Sequence, residues 1–252
     1  MPSSSSAKAE GVDASRVTRH PRRRPASASS RTAAAGHKFD YLRKNSGGVA
    51  DGAAERWPPT TSLAPGSSIS RRSARRSAPA RARPATPPSP TARAAGVKVS
   101  YDTNLRLRLW DLDTARGDDP RHHARAATLP LPSLDDSQQL TGPARRPTAI
   151  ADFYLKLGAP LVALKMGSRW RPARHARRAA SACAPHQASR RSTRRVQATR
   201  STARFLARLL EGDDPEAAAR YANVAAALST SGYGAVTPIP RQAEVLAALR
   251  AR

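Results

Sequence analysis

Thiols are almost missing from this chain. Its one cysteine, Cys183, excludes a disulfide framework and any cluster of thiolates around zinc, so an intracellular, cytoplasmic setting is expected. Aromatic residues are scarce as well, with three Trp, five Tyr and three Phe among 252 residues. Too few large side chains are present to fill a continuous core throughout the chain, so part of it is expected to be unfolded. No apolar run approaches the roughly 18 residues of a membrane-crossing helix, and the polar start lacks the apolar core of a signal peptide. Neither a membrane partner nor secretion is therefore expected. Acid is short too: 18 Asp and Glu face 44 Lys and Arg, a formal charge of +26.

What is present is arginine, unevenly placed. Of the basic residues 38 are Arg and six are Lys, and the six (Lys8, Lys38, Lys44, Lys98, Lys156, Lys165) all lie where acids and patterned apolar residues also occur. Residues 19–35, 56–92 and 168–204 contain no acid and no lysine, and are mainly Arg, Ala, Pro, Ser and Thr. A solvated basic face mixes Lys with Arg and interleaves acids. Two readings fit the blocks. One is a disordered tail that binds nucleic acid by releasing counterions from phosphates. The other is GC-rich coding sequence translated out of frame, which yields these residues and almost no lysine.

The intervening islands carry ordinary structural signals. Val97, Val99 and Tyr101 alternate as a strand that ends in the polar turn of Asp102, Thr103 and Asn104. Ser133 is placed to cap a short helix, and residues 148–158 read as a helix closed by Gly158 before a strand at 161–165. Leu206, Leu209 and Leu210 have helical spacing, and Asp214 with Pro215 starts an Ala-rich helix that runs to Leu228. After Pro240 a final helix is expected, with Ala243, Leu246, Ala247 and Leu249 on one side. Alternating helix and strand predicts an α/β sheet, with the polar groups at the strand carboxyl ends where such sheets bind ligands.

The segments VSYDTNLRLRLW (99–110), LPSLDD (131–136), LVALKMG (161–167) and AARYANVAAALSTSGYGAV (218–236), in that order, resemble the ribokinase-like (PfkB) sugar kinases, in particular those acting on 2-dehydro-3-deoxygluconate. EGVDASRV (10–17) and GHKFDYLRKNS (36–46) fit the same family. The resemblance implies a central sheet with helices on both faces and a small lid. Here it is expected to be incomplete, because the family's first strands and lid glycines are not found ahead of residue 10. Residues 1–92 are then a degraded lid and N-terminal remnant, mostly disordered. Residues 93–252 are the C-terminal part of the kinase domain, with 168–204 out of frame and disordered.

Site residues follow from the resemblance only where the motifs match. Tyr41, Arg43, Asn104 and Arg106 would meet a sugar-acid substrate, the guanidinium of Arg106 forking onto its carboxylate. Lys165, Gly167, Asn223 and Gly234 would lie on the ATP side, with Ser133 and Asp136 near the magnesium ion and phosphates. Taken singly, Arg106 is an exposed charge on an amphipathic segment, Tyr41 a half-buried aromatic and Asn223 a helix-packing residue. The carboxylate pairs Asp118 with Asp119, Asp135 with Asp136 and Asp213 with Asp214 read as turn or helix-start acids. His122 with His123 and Cys183 with His186 have no partner cluster for a metal.

One family element has no counterpart. The Gly-Ala-Gly-Asp motif, whose backbone amides cradle phosphate and whose aspartate takes the sugar proton, belongs just before Phe205. The sequence there is STRRVQATRST (192–202), which synonymous codons in a displaced frame read as Val-Asp-Ala-Thr-Gly-Ala-Gly-Asp-Thr-Phe-Asp. Residues 169–176 decode in the same manner to a Gly-containing hairpin, and residues 25–33 to a family strand. The expectation is a sugar kinase by descent with no catalytic residue of its own. The alternative is an Arg-rich nucleic-acid-binding protein without catalytic activity, and at +26 nonspecific polyanion binding is expected in either case.

Overall fold

The computed structural model describes residues 8–11, 27–33, 36–42, 67–71, 96–105, 107, 111–118, 127–142, 145–166, 169–174, 194–232 and 236–251. They fall into two compact units. In the first, β1 (Ser27–Ala33) and β2 (Gly36–Leu42) form an antiparallel hairpin in which Ser27 pairs with Leu42 and Ala33 with Gly36.

The second unit carries the α/β architecture. Its strands are β3 (Ser67–Arg71), β4 (Lys98–Asp102), β5 (Leu129–Pro130), β6 (Leu161–Met166) and β7 (Arg169–Arg174). Strands β3, β4 and β5 run parallel in that order. A parallel bridge between Ser133 and Lys165 then joins this sheet to the antiparallel pair β6 and β7. The connections are helical: α1 (Leu112–Asp118) lies between β4 and β5, and α2 (Leu134–Thr141) with α3 (Pro147–Lys156) lies between β5 and β6. Helices α4 (Arg194–Leu210), α5 (Pro215–Leu228) and α6 (Gln242–Arg250) complete the unit.

Local chemistry explains the boundaries. The Ser133 hydroxyl accepts from Asp136 N at 3.2 Å and caps α2. Asp214 accepts from Glu216 N and Ala217 N, with Pro215 in the first turn, so α5 begins as expected. Gly158 takes φ of 96° and donates its N–H to Leu155 O, turning the chain from α3 toward β6. Strand β6 is apolar on both faces, as a covered strand must be. Val162 and Leu164 pack with Ile150 and Tyr154 of α3, while Ala163 joins Leu131, Trp170, Phe205 and the alanines of α5. Small side chains at Ala218, Ala219 and Ala222 let α5 approach α4 closely, and burying each large apolar partner contributes about 1.5–3 kcal/mol.

Two expectations need correction. Regular structure extends into stretches expected to lack it: β1 and β3 lie within residues 1–92, and β7 and the first half of α4 lie within 168–204. Strand pairing is a backbone interaction that tolerates poor strand formers, and Arg, Ala and Gln are good helix formers that prolong the amphipathic 205–210 segment backward. The rest of those blocks lies outside the described residues. The buried side of α6 also differs. Val245 is fully buried with Leu246, Ala248 and Leu249 against α5, whereas Ala243 and Ala247 face out. The larger side chains remove more apolar area from water than the alanines would. Lys165, expected on the ATP side, and Asp102, read as a turn residue, are both buried.

Candidate functional site at the carboxyl edge of the sheet

Strands β4, β5 and β6 point their carboxyl ends the same way, and the chain places its polar residues there. Asp102 ends β4 and is 4% exposed; Lys165, in β6, is 6% exposed. Their side chains meet directly, Lys165 Nζ donating to Asp102 Oδ1 at 2.6 Å. A charged group in an apolar strand is tolerated only with such a partner.

Asp136 occupies the first turn of α2 beside this pair. Its Oδ2 accepts from Leu105 N at 2.9 Å and from Thr103 Oγ1 at 3.3 Å. Between the two donors stands Asn104, with φ of 38°, in the left-handed region that Asn enters more readily than other side-chain-bearing residues. That kink lets a side chain and a backbone amide two residues apart address one oxygen. Burial pushes the Asp136 carboxyl above the usual carboxylate range, against the opposing pull of the Leu105 N–H, the Ser133 hydroxyl and the Lys165 charge.

Of the residues expected at a site, Asn104, Ser133, Asp136 and Lys165 are thus brought to one edge. Asn223 is buried in α5, and its Nδ2 has no hydrogen-bond partner among the described residues. Tyr41 stands in β2 opposite Ala28. Arg43, Arg106, Gly167 and Gly234 lie outside the described residues, as do His122, His123, Cys183 and His186. Asp102 and Thr103 were legible only as turn residues. The signal for Asp102 was Lys165 itself, since a lysine within LVALKM demands a buried counter-charge. Among the described residues no group of three His, Cys, Asp or Glu side chains could hold a metal ion, and no helix is long and apolar enough to cross a membrane.

The missing motif has a structural counterpart. Helix α4 starts at Arg194, inside the window where Gly-Ala-Gly-Asp is expected. Every residue of the window carries a Cβ, where glycines would let phosphate approach the backbone.

Order of strands, helical crossovers and the polar carboxyl edge define a ribokinase-like α/β fold. Solved structures that share it include PfkB, ribokinase and fructokinase proteins. The chain superposes on a PfkB protein from Polaromonas sp. JS666 with a TM-score of 0.71 at 22% identity, covering 96% of this chain and 77% of that one. It superposes on a fructokinase with bound ATP from Xylella fastidiosa with a TM-score of 0.74 at 17% identity, covering 97% and 79%. A fructokinase from Vibrio cholerae O395 bound to fructose, ADP and calcium gives 0.67 at 18% identity, covering 96% and 79%. In sequence, the chain is 37% identical over 75 residues to 2-dehydro-3-deoxygluconokinase of Bacillus subtilis (strain 168), a stretch that is 30% of this chain and 23% of that relative. The match therefore spans less than a quarter of the relative's length. No protein-family model matches the chain. The resemblance read from the islands is borne out in the fold, and none of these relatives supports the nucleic-acid alternative.

Proposed function

We propose that this chain is a sugar kinase by descent, of the type that transfers the γ-phosphoryl group of ATP to the 6-hydroxyl of 2-dehydro-3-deoxygluconate, and that as written it does not complete the transfer. The observation that carries the reading is the convergence of Asn104, Ser133, Asp136 and the Asp102 and Lys165 pair on one sheet edge. In this reading Tyr41, Arg43, Asn104 and Arg106 receive the sugar acid. Gly167, Asn223 and Gly234 serve the nucleotide, Lys165 stands at the same edge paired with Asp102, and the protein is cytoplasmic. The orphaned Nδ2 of Asn223 is a buried donor suited to an acceptor on a ligand. The Asp136 carboxylate suits a hard cation such as magnesium near Ser133.

The phosphate end does not fit. ATP would supply the phosphoryl group, but residues 192–202 provide neither the glycine cradle nor the aspartate that would take the sugar proton. Either loss lowers turnover by about 100-fold or more. The test is a coupled ATP-consumption assay on the purified chain with 2-dehydro-3-deoxygluconate, beside an Arg106→Ala variant. Turnover at background in both is expected. Robust turnover that Arg106→Ala abolishes would mean that another group supplies the base, and would defeat the mis-framed reading.

A further inference from the structure

The buried ion pair joins two strands that are not hydrogen-bonded to each other. Between β4 and β6 runs the segment 129–133, paired with β4 on one side and bridged to Lys165 on the other. That segment is poor in donors, because Pro130 and Pro132 have no N–H. Near the edge the ladder is carried by Leu131 N donating to Tyr101 O at 2.7 Å and Lys165 N donating to Pro132 O at 2.8 Å. The Lys165 ammonium crosses this weak place to reach Asp102. Of the next three residues, Thr103 and Leu105 donate to Asp136, with Asn104 between them.

We propose that Asp102 and Lys165 are positioning residues, whose ion pair ties the end of β4 to β6 across the proline-containing segment and so aims the 103–105 loop at Asp136. The ammonium of Lys165 is then occupied inside the protein and acts on the site through Asp102 rather than by touching a nucleotide. As a statement about a kinase site this rests on the reading above. The coupling itself belongs to the chain without ligand, so it can be tested whether or not the chain turns over ATP.

The experiment uses the full chain, isotopically labelled, with Lys165→Met, Asp102→Asn and the double variant. Urea unfolding reads global stability, and hydrogen exchange reads the Leu105 amide against the Val162 amide in β6. Each single variant is expected to raise the unfolding constant by roughly 100-fold or more, because it strands a buried charge. The double variant removes both charges and is expected to return to within about tenfold of the parent. Its Leu105 amide should nevertheless exchange at least about tenfold faster than in the parent, relative to Val162, because the tie is gone while the sheet is restored. Should the single variants not fold, the double variant alone decides. A double variant as unstable as the singles, or one whose Leu105 amide is as protected as in the parent, overturns the proposal.

Discussion

Trp170 of β7 stacks on Phe205 of α4, ring centroids 4.7 Å apart and planes inclined by 27°. The two rings are 2% and 0% exposed and join an arginine-rich strand to the helix that follows it. They share one cluster with Leu131, Ala163 and the alanines of α5, so the stack is where sheet and C-terminal helices meet. Phe205→Ala is expected to cost about 3–5 kcal/mol, and Trp170→Ala a similar amount. Urea denaturation of the parent and both variants measures this. A loss below about 1 kcal/mol at either position would mean that the arginine-rich strand is not part of the core.

The start of α5 depends on one side chain. Asp214 accepts from Glu216 N at 2.9 Å and Ala217 N at 3.2 Å. Arg208 anchors the preceding turn by binding both oxygens of Asp213 at 2.7 Å. Asp214→Ala should cost about 1 kcal/mol, and Asp214→Asn much less, because Asn also caps. Thermal unfolding of the two variants separates a cap from a general charge effect, which would penalise both equally.

Asp136 makes stability depend on pH. Below the ordinary carboxylate range the folded and unfolded chains both hold the proton, and burial of a charge exacts nothing. As pH rises through the raised folded value, the unfolded chain has already lost its proton while the folded chain must ionise a buried group, so stability falls. Asp136→Asn keeps an acceptor for Leu105 N without the charge. Its stability relative to the parent is therefore expected to increase between about pH 3 and pH 7. Paired urea titrations across that range check the slope, and a difference that is flat or falls with pH would count against the burial of Asp136.

The coding DNA offers an independent check of descent. If residues 192–202 hold a displaced kinase motif, Arg200 is written with a CGN codon and Ser192 and Ser201 with TCN codons. An AGC or AGT codon removes the hidden Val-Asp at Ser192 or the hidden Thr-Phe at Ser201, and either defeats the decoding. Sequencing the gene around residues 25–33, 169–176 and 192–202 reads all three windows, and each must open a frame that joins its neighbouring island.

Short-range physics was readable without coordinates wherever one residue type settles a local question. Ser133 and Asp214 cap helices because a short side-chain oxygen reaches the first free amides of its own chain. Gly158 ends α3 because it tolerates positive φ, and Val97, Val99 and Tyr101 announce β4 by their alternation. Those islands also carried the likeness to ribokinase-like kinases and pointed to the carboxyl edge of the sheet.

Tertiary structure decided what depends on partners distant in the chain. Lys165 and Asp102 are 63 residues apart, and no periodicity shows that a lysine in an apolar strand turns inward to a buried carboxylate rather than outward to a ligand. Trp170 lies in a block whose composition reads as unstructured, yet Phe205 gives it a surface to bury against. Likewise α6 buries Val245 instead of Ala243 and Ala247, because the facing surface of α5 selects which side is covered. Periodicity reports that a face exists, whereas burial and charge pairing are set by the elements that come to lie against it.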